Sequence, residues 1–339
     1  MPVLKQSDLR SLLTLVALVV GLFIVSLLAV SFFMNLDLGA VFNHVFKSTV
    51  GTEFGFLSVL RRTTYLLIVS LGLAVAFSSG VWNIGGEGQI LWGAILAAAV
   101  ALLVALPAPA VIPLALIASF VAGALWGLIS GFLRAKWNVN EIVSTMMLNF
   151  VATATMVQIA GGPLRDPVVL IAQTKMIPEE LQFPFIVYPL NTAFLFALAL
   201  VPVVYVLMHK SVLGYKMRIV GGASTVAAAA GINTGRMVMI SMFVSGGICA
   251  LAGSMLVFGH FFRAQAAMTG MFGFYAIVST LLGKSKPELM FFTSLLLSLI
   301  ITGTESLRIL GVPGSFTQLV VGLMFIAAVL REFYSRRAT

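Results

Sequence analysis

Apolar residues dominate the chain in long, charge-free stretches that short polar segments separate. Nearly all of these stretches approach or exceed the roughly 20 residues that a helix needs to cross a bilayer. Residues 88–133 are too many for one such helix, and Pro107, Pro109 and Pro113 favour a turn there, because proline lacks a backbone donor. Dividing that stretch gives ten predicted membrane-spanning helices. The stretches are residues 11–36, 63–86, 88–133, 142–164, 181–208, 237–262, 264–283, 289–304 and 309–330.

The composition agrees with this pattern. Hydrophobic residues make up 60% of the 339 residues and charged residues 9%, whereas charged residues make up about 25% of a soluble domain. No alternation typical of a closed barrel is visible, so the predicted fold is an all-α polytopic membrane protein, with residues 1–339 as one transmembrane domain. Ser11 to Leu36 is too long for the apolar part of a cleaved signal peptide and is interpreted as a retained first span.

The distribution of lysine and arginine predicts the orientation. An even number of spans puts both termini on one side, and placing them in the cytoplasm leaves most of the 20 cations in inner loops, as the positive-inside rule requires. Arg61 and Arg62 are exceptions, on the outer side just before the second span. Two explanations are open: the pair contacts outer acids such as Glu53, or residues 50–62 form an interfacial helix. The inner cations are Lys5, Arg10, Arg134, Lys136, Lys210, Lys216, Arg218, Arg236, Lys284, Lys286, Arg331, Arg336 and Arg337.

A polar, glycine-rich segment interrupts the apolar pattern at residues 83–89, which read Asn-Ile-Gly-Gly-Glu-Gly-Gln. Glu87 is the only charged residue between Thr63 and Phe132. A carboxylate at membrane depth is costly unless it faces protein or a watery cavity, and a helix breaks there only where freed backbone groups find partners. The segment therefore predicts a discontinuous helix at a transport pathway. The predicted break is at Gly85, Gly86 and Gly88, and the predicted pathway residues are Asn83, Glu87 and Gln89.

A second polar group lies at residues 138–149. In a helix, Glu141, Thr145, Asn149 and Thr153 share one face, because they are spaced at four-residue intervals. Polar side chains in a span avoid lipid. The stripe is therefore predicted either to line the pathway, with Glu141, Thr145 and Asn149 as its members, or to make hydrogen bonds between helices only.

Two connecting segments are long enough to carry a function. Residues 160–190, on the outer side, contain five prolines and are interpreted as an external cap or docking surface. Residues 209–236, on the inner side, contain a short alanine-rich helix that Ser224 is predicted to cap and Gly231 to end. Such a helix suits docking into a partner protein; an interfacial linker is the alternative.

Several kinds of chemistry are excluded by what the sequence lacks. Gly283-Lys284-Ser285 resembles the end of a phosphate-binding loop, but position 278 is valine where that motif needs glycine. The three histidines are scattered, so neither a catalytic group nor a metal site is predicted. The net charge of +9 is spread over short loops rather than gathered in a patch for nucleic acid. The lone Cys249 is interpreted as a small core residue.

Four motifs, in this order, carry a resemblance to a known family: residues 83–89, the Asn-Glu-Ile-Val-Ser-Thr-Met-Met-Leu-Asn of 140–149, the Gly-Tyr-Lys-Met-Arg-Ile-Val-Gly segment with Ala-Ala-Ala-Ala-Gly-Ile-Asn in 214–233, and residues 276–284. Over about residues 60–330 the chain resembles the permease subunits of bacterial ABC importers, the group that includes ribose, galactose and branched-chain amino-acid permeases. The form of the 83–89 motif is similar to that of nucleoside importers. Val278, Ser279 and Thr280 depart from the family's usual pattern.

The resemblance implies a permease subunit, not an enzyme, that imports a nucleoside across the bacterial inner membrane, with a purine nucleoside as the preferred cargo. It implies separate ATPase subunits that hold ATP and Mg²⁺, an external substrate-binding lipoprotein and a second permease, with a heterodimer favoured; this chain itself is expected to bind no cofactor. It further implies pseudo-symmetric halves, with breaks at 85–88 and around 270–273, and a coupling helix within 214–232. The implied coupling residues are Gly214, Arg218, Gly221, Ala227, Ala228 and Gly231.

Two alternatives remain open from the sequence. The same machine would serve a monosaccharide or riboflavin, and only the ligand of its binding protein distinguishes these cargoes. A secondary transporter driven by ions or protons is a different class, in which Glu87 and Glu141 would carry protons; uptake without ATP would favour it, and the alanine-rich inner helix argues against it.

Overall fold

A computed structural model describes the backbone of residues 6–337 and the side chains of residues 16–330. Thirteen α-helices occur in the described part of the chain. The terminal residues 1–5 and 338–339, including Lys5 of the predicted inner cations, lie outside it. The helices are α1 (Gln6–Phe33), α2 (Leu38–Thr49), α3 (Glu53–Ser78), α4 (Gly86–Leu103), α5 (Ala108–Trp137), α6 (Glu141–Gly161), α7 (Ala193–Lys210), α8 (Val212–Gly222), α9 (Ser224–Ala229), α10 (Thr234–Leu256), α11 (Phe272–Leu282), α12 (Pro287–Ser306) and α13 (Ser315–Arg337).

The prediction of an all-α polytopic membrane protein is confirmed. Eight helices are long and apolar enough to cross a membrane, within the part of the chain that the structure describes. The other two predicted spans, 264–283 and 309–330, correspond to the shorter apolar segments Ala266–Leu282 and Ser315–Leu330. The proline-rich division of 88–133 is confirmed as well, since α4 ends at Leu103 and α5 begins at Ala108.

Two predicted spans have different boundaries in the structure. The second span begins at Glu53 rather than at residue 63, because the Thr52 hydroxyl caps α3 by accepting from the Gly55 amide (3.1 Å). The sixth span begins at Ala193 rather than at residue 181. The preceding residues form a small antiparallel hairpin of two strands, β1 (Phe185–Val187) and β2 (Leu190–Asn191), where prolines interrupt helix formation.

The first explanation is confirmed for Arg62, although with another acid at the predicted outer side, and the second explanation is wrong. Residues 53–62 belong to the continuous helix α3 rather than to a separate interfacial helix. Arg62 forms an ion pair with Glu305, near the end of α12, rather than with Glu53. Arg61 Nη1 lies 3.1 Å from His260 Nδ1. An arginine pair next to a predicted span is therefore accommodated by helices that are distant in sequence.

The centre of the bundle is α10, which packs against α3, α4 and α5. Its contacts with α4 and α5 pair small residues, so that backbones touch without an intervening layer of side chains. A Cβ atom added to Gly123 would lie 2.5 Å from the Gly246 carbonyl oxygen, and one added to Gly127 would lie 2.5 Å from that of Met242. A Cβ atom added to Gly93 would lie still closer to the Ala250 carbonyl oxygen. Cys249 of α10 is fully buried against α3, as predicted for a small core residue.

Helices α8 and α9 form the connection between α7 and α10. The prediction that Ser224 caps the short helix is wrong: Ser224 is the first residue of α9, and no side chain caps that helix. The predicted end is confirmed, because Gly231 has a φ of +77° and the amides of Gly231 and Ile232 donate back to Ala228 and Ala227 (3.0 Å each).

Candidate functional site

The first helix break consists of residues 79–85, which connect α3 to α4. Asn83 is fully buried at its centre. Its Nδ2 donates to Gln89 Oε1 (3.0 Å) and to Ser245 Oγ (2.8 Å), and its Oδ1 accepts from the Gly85 amide (2.9 Å) and from Gln89 Nε2 (3.1 Å). Asn83 thereby fixes the loop to the first turn of α4 and to the central helix α10.

Helix α6 supports the same loop from the other side. Asn149 Oδ1 accepts from the Gly88 amide (2.8 Å), and its Nδ2 donates to the Ile84 carbonyl (2.9 Å). The Thr145 hydroxyl accepts from the Ile84 amide (3.3 Å). Thr153, the fourth member of the predicted stripe, is exposed and donates to the Asn149 carbonyl of its own helix. The first three residues of the predicted stripe are therefore buried against other helices, whereas the fourth, Thr153, is exposed.

Glu141, at the start of α6, lies at the edge of this network. Its Oε2 is 3.3 Å from Arg134 Nε, at the end of α5, and its Oε1 accepts from the Trp82 amide (3.4 Å). The carboxylate therefore connects α5, α6 and the loop after α3. Only about a tenth of its side chain is exposed, whereas 39% of the Arg134 side chain is exposed.

Glu87 lies in the first turn of α4 and reaches a second break, residues 262–271, between α10 and α11. Its Oε1 accepts from the Gly273 amide (2.7 Å), in the first turn of α11. The Phe274 amide and the Thr269 hydroxyl are also within hydrogen-bonding reach of the carboxylate. Met271, which precedes α11, supplies no side-chain cap. Glu87 therefore caps α11 from another helix and opposes the positive ends of two helix dipoles.

The three glycines of the predicted break are explained by close approaches. A Cβ at Gly85 would lie 3.1 Å from Asn83 Oδ1, one at Gly86 would lie 3.1 Å from Gly273 Cα, and one at Gly88 would lie 3.0 Å from Asn149 Oδ1. The structure places Gly85 immediately before α4, and Gly86 and Gly88 inside its first turn. The irregular backbone itself is residues 79–85, where Gly80 has a φ of +73°.

The predicted coupling residues divide into two groups. Ala228 and Gly231 are exposed on α9 and at its end, and Gly221 is exposed at the end of α8. Ala227 and Gly214 are buried, and Arg218 is half-buried. Gly221 also contacts the first break, since a Cβ there would lie 2.8 Å from the Gly80 amide nitrogen. The connection between α8 and α9 thus touches the loop that Asn83 holds.

The structure adds residues that sequence reasoning missed. Ser245 binds Asn83, Arg134 pairs with Glu141, and Gly273 binds Glu87. The sequence identified Gly270 to Gly273 as a possible second break without a carboxylate; that carboxylate comes from residue 87. Ser245 and Gly273 lie 162 and 186 positions from their partners in the chain, so no local motif signals these two contacts. Arg134 lies seven positions before Glu141, on the preceding helix.

The arrangement is a network of buried hydrogen bonds, and among the described residues it contains no pair of groups suited to covalent catalysis. Its amides and hydroxyls are neutral, and its two carboxylates already have partners. Hydrogen bonds of this kind stabilise irregular backbone at membrane depth.

Comparisons with known proteins give a consistent result. The chain is 31% identical over 317 residues to the glucose ABC transporter permease protein TsgB13 of Haloferax volcanii, covering 89% of this chain and 83% of that protein. It is 33% identical over 279 residues to the guanosine ABC transporter permease protein NupP of Bacillus subtilis, covering 79% and 78%. It is 28% identical over 334 residues to the nucleoside ABC transporter permease protein NupB of Lactococcus lactis, covering 94% and 91%.

A family model also matches most of the chain, from residue 55 to residue 329. Its description is branched-chain amino acid transport system / permease component. The match agrees with the predicted family-like core of about 60–330, with the eight long apolar helices and with a multi-pass location in the membrane. The chain belongs to this family of ABC transporter permeases.

Proposed function

We propose that this permease imports a nucleoside, with a purine nucleoside as the first candidate. The observation that carries the proposal is the likeness to two permeases named for guanosine and for nucleosides, at 33% and 28% identity. The chemistry of the site agrees, because a neutral solute needs hydrogen-bond partners rather than a counter-ion. The proposed pathway residues are Asn83, Glu87, Gln89, Glu141, Thr145 and Asn149.

A monosaccharide is the second candidate cargo. It is favoured by the 31% identity to a glucose permease over 89% of the chain. Both solutes are neutral and rich in hydroxyl groups, so the polarity of the helix breaks suits either. The two cargoes differ in the nucleobase, which gives the nucleoside an aromatic face and ring nitrogens in addition to its sugar.

The proposed transport unit has further subunits. Two ATPase subunits would bind ATP and Mg²⁺, an external lipoprotein would deliver the solute, and a second, different permease would complete the pathway. This chain would bind no cofactor. The support is the family membership together with the four motifs described above.

The proposed mechanism is alternating access. ATP binding would draw the coupling segments of the two permeases together, and the pathway would change the side to which it opens. The route for that signal starts at the exposed residues of α9, passes through Gly221 and reaches the loop at Gly80, which Asn83 ties to α4 and α10. Hydrogen-bonded loops of this kind transmit a displacement when they have two arrangements.

The cargo is tested by transport in proteoliposomes that contain the assembled importer and its binding protein. Radiolabelled guanosine uptake should require ATP and should be competed by unlabelled guanosine but not by a hundredfold excess of glucose. Competition by glucose alone would replace the nucleoside with a monosaccharide. Uptake that persists without ATP and collapses with the proton gradient would instead assign the chain to the secondary transporters.

The coupling route is tested at Ala228. Tryptophan there should leave folding intact, because the side chain is exposed, but should abolish the stimulation of ATPase activity by loaded binding protein. The matched control is Val212→Trp, at the exposed start of α8, where 70% of the side chain is accessible. Normal coupling in Ala228→Trp would exclude α9 as the contact.

A further inference from the structure

A polar cavity opens at the predicted cytoplasmic end of the bundle, beside the first helix break. Its volume is about 760 Å³, and its walls come from the loop after α3, the end of α5, the α8–α9 junction and the start of α10. This volume is within the range of about 300–1,000 Å³ that small-molecule sites occupy. None of the six proposed pathway residues lines it.

The charged residues that line the cavity are all basic. Arg134 and Lys136 lie in its wall, and Arg236 lines an adjacent cavity of about 280 Å³ that also includes Lys136. Among the described residues, no aspartate or glutamate lines either cavity. Glu141 partly compensates Arg134, at 3.3 Å, but it does not line either cavity. The Lys136 ammonium lies over the rings of Phe132 and Trp137, at 5.4 and 5.5 Å from their centroids, and no acid among the described residues forms an ion pair with it.

Hydrogen-bond donors accompany these cations. Ser79 is only 3% exposed, it lines the cavity, and its hydroxyl has no hydrogen-bond partner in the described structure. The amides of Thr234 and Gly235 open helix α10, where the first amides have no intrahelical acceptor. Hydroxyls of Ser224 and Thr225 complete the lining. Cations, free amides and the hydroxyl-bearing exposed residues Ser224 and Thr225 around one space match an anion with several acceptor oxygens.

We propose that this cavity is a binding site for a small phosphate-bearing anion, separate from the transport pathway. Its walls belong both to the coupling segment and to the loop that continues into Asn83. An anion held between Lys136 and the α8–α9 junction would fix the distance between these two segments. Binding of the anion would therefore regulate the coupling between ATP hydrolysis and transport, which the proposed function assigns to this segment. A ligand that prefers one of two arrangements shifts the population of the protein towards that arrangement.

The site is tested with the full-length permease in lipid nanodiscs by isothermal titration calorimetry at constant ionic strength. The probes are inorganic phosphate and adenosine 5′-monophosphate, with uncharged adenosine as the control solute. Both anions should bind saturably and compete with each other, and adenosine should not displace them. Lys136→Gln should weaken binding about tenfold, as expected for one charge-assisted contact, whereas Lys216→Gln, at an exposed residue outside the cavity, should leave affinity unchanged.

A second pair of variants separates charge from folding. Gly222 lines the cavity, and a Cβ there would meet no atom within 4 Å, so the fold accommodates a side chain. Gly222→Glu should abolish anion binding, whereas the isosteric Gly222→Gln should retain most of it. Absence of saturable binding in the wild-type chain, or equal affinity in these two variants, would overturn the proposal.

A final comparison identifies the source of the anion. If the ligand is a soluble phosphate compound, its binding should persist when the ATPase subunits are assembled on the permease. Complete displacement by those subunits would assign the cavity to an acidic side chain of the partner and overturn the soluble ligand.

Discussion

The two helix breaks of this permease are stabilised in different ways. The break at 79–85 is held by side chains on three sides: Asn83 from within it, Gln89 from the following helix, and Asn149 from α6. The break at 262–271 contains two non-glycine residues in left-handed conformation, Phe262 (φ 55°) and Met271 (φ 63°). The helix that follows it has no cap of its own.

The difference shows that one break depends on the other. Glu87, next to the first break, accepts the Gly273 amide that opens α11 after the second. We therefore expect the first break to keep its geometry without the second. By contrast, α11, which follows the second break, loses its cap when Glu87 is replaced. Four sets of substitutions test or refine this dependence, from the largest expected effect to the smallest.

Glu87→Leu should have the largest effect. It leaves the α11 amides without an acceptor inside the membrane, and unpaired buried donors cost about 1–3 kcal/mol each, so we expect a loss of about 3 kcal/mol in the free energy of unfolding. Glu87→Gln keeps an acceptor oxygen and should cost about 1 kcal/mol. The measurement is detergent unfolding together with solute uptake. Normal stability with lost uptake in Glu87→Gln would show that the negative charge serves transport rather than structure.

Asn83→Ala should destabilise the first break by about 2 kcal/mol, because several buried hydrogen-bonding groups lose their partner at once. Ser245→Ala removes one of these bonds and should cost about 1 kcal/mol. Since the two residues are in contact, the double variant should lose less than the sum. Strict additivity in the unfolding measurements would contradict a direct interaction between the loop and α10.

Gly80→Ala and Gly270→Ala compare the backbone of the two breaks. Both glycines have positive φ, +73° and +52°, and a Cβ in this region costs about 1 kcal/mol or slightly more. Gly80 should lose more, about 1.5 kcal/mol, since its Cβ would also lie 3.2 Å from Gly221 Cα, whereas that of Gly270 would meet only the Phe272 ring at 3.8 Å. The control is Gly322→Ala on α13, which meets no atom within 4 Å and should be neutral or stabilising. Equal losses at 80 and 270 would remove the contact with Gly221 from the explanation.

Arg62→Gln should have the smallest effect, about 0.5–1 kcal/mol, because ion pairs that retain solvent contact contribute little. The side chains of Arg62 and Glu305 are 22% and 30% exposed. Their coupling energy is measured by a double-mutant cycle with Glu305→Gln. A coupling energy well above 1 kcal/mol would show that the first half of α3 depends on this pair as strongly as α11 depends on Glu87.

The sequence identified the elements of the fold better than their partners. Charge-free runs and prolines were sufficient for the spans, because the bilayer sets both their length and their polarity. These patterns gave the wrong helix boundaries in two places. Residues 181–192 are apolar but include a proline-containing hairpin, and residues 53–62 carry charges but belong to helix α3. In both places a tertiary contact or a turn overrides the local pattern.

The candidate site follows the same division. Burial of Glu87, Thr145 and Asn149 follows from the cost of polar groups in lipid. Their hydrogen-bond partners could not be derived, because Gly273 and Ser245 belong to helices whose rotation the sequence does not specify. The assignment of these residues to a solute pathway stays a prediction for transport measurements to test.

The backbone contacts of α10 limit how this protein can move. Where Gly123 and Gly127 of α5 touch the Gly246 and Met242 backbone of α10, no side-chain rotation can absorb a displacement, and sliding would drive carbonyl groups into each other. We therefore expect helices α4, α5 and α10 to move together as one rigid body. In the proposed transport cycle, the two interrupted helices at the ends of this unit are then the positions at which it would bend relative to the rest of the protein.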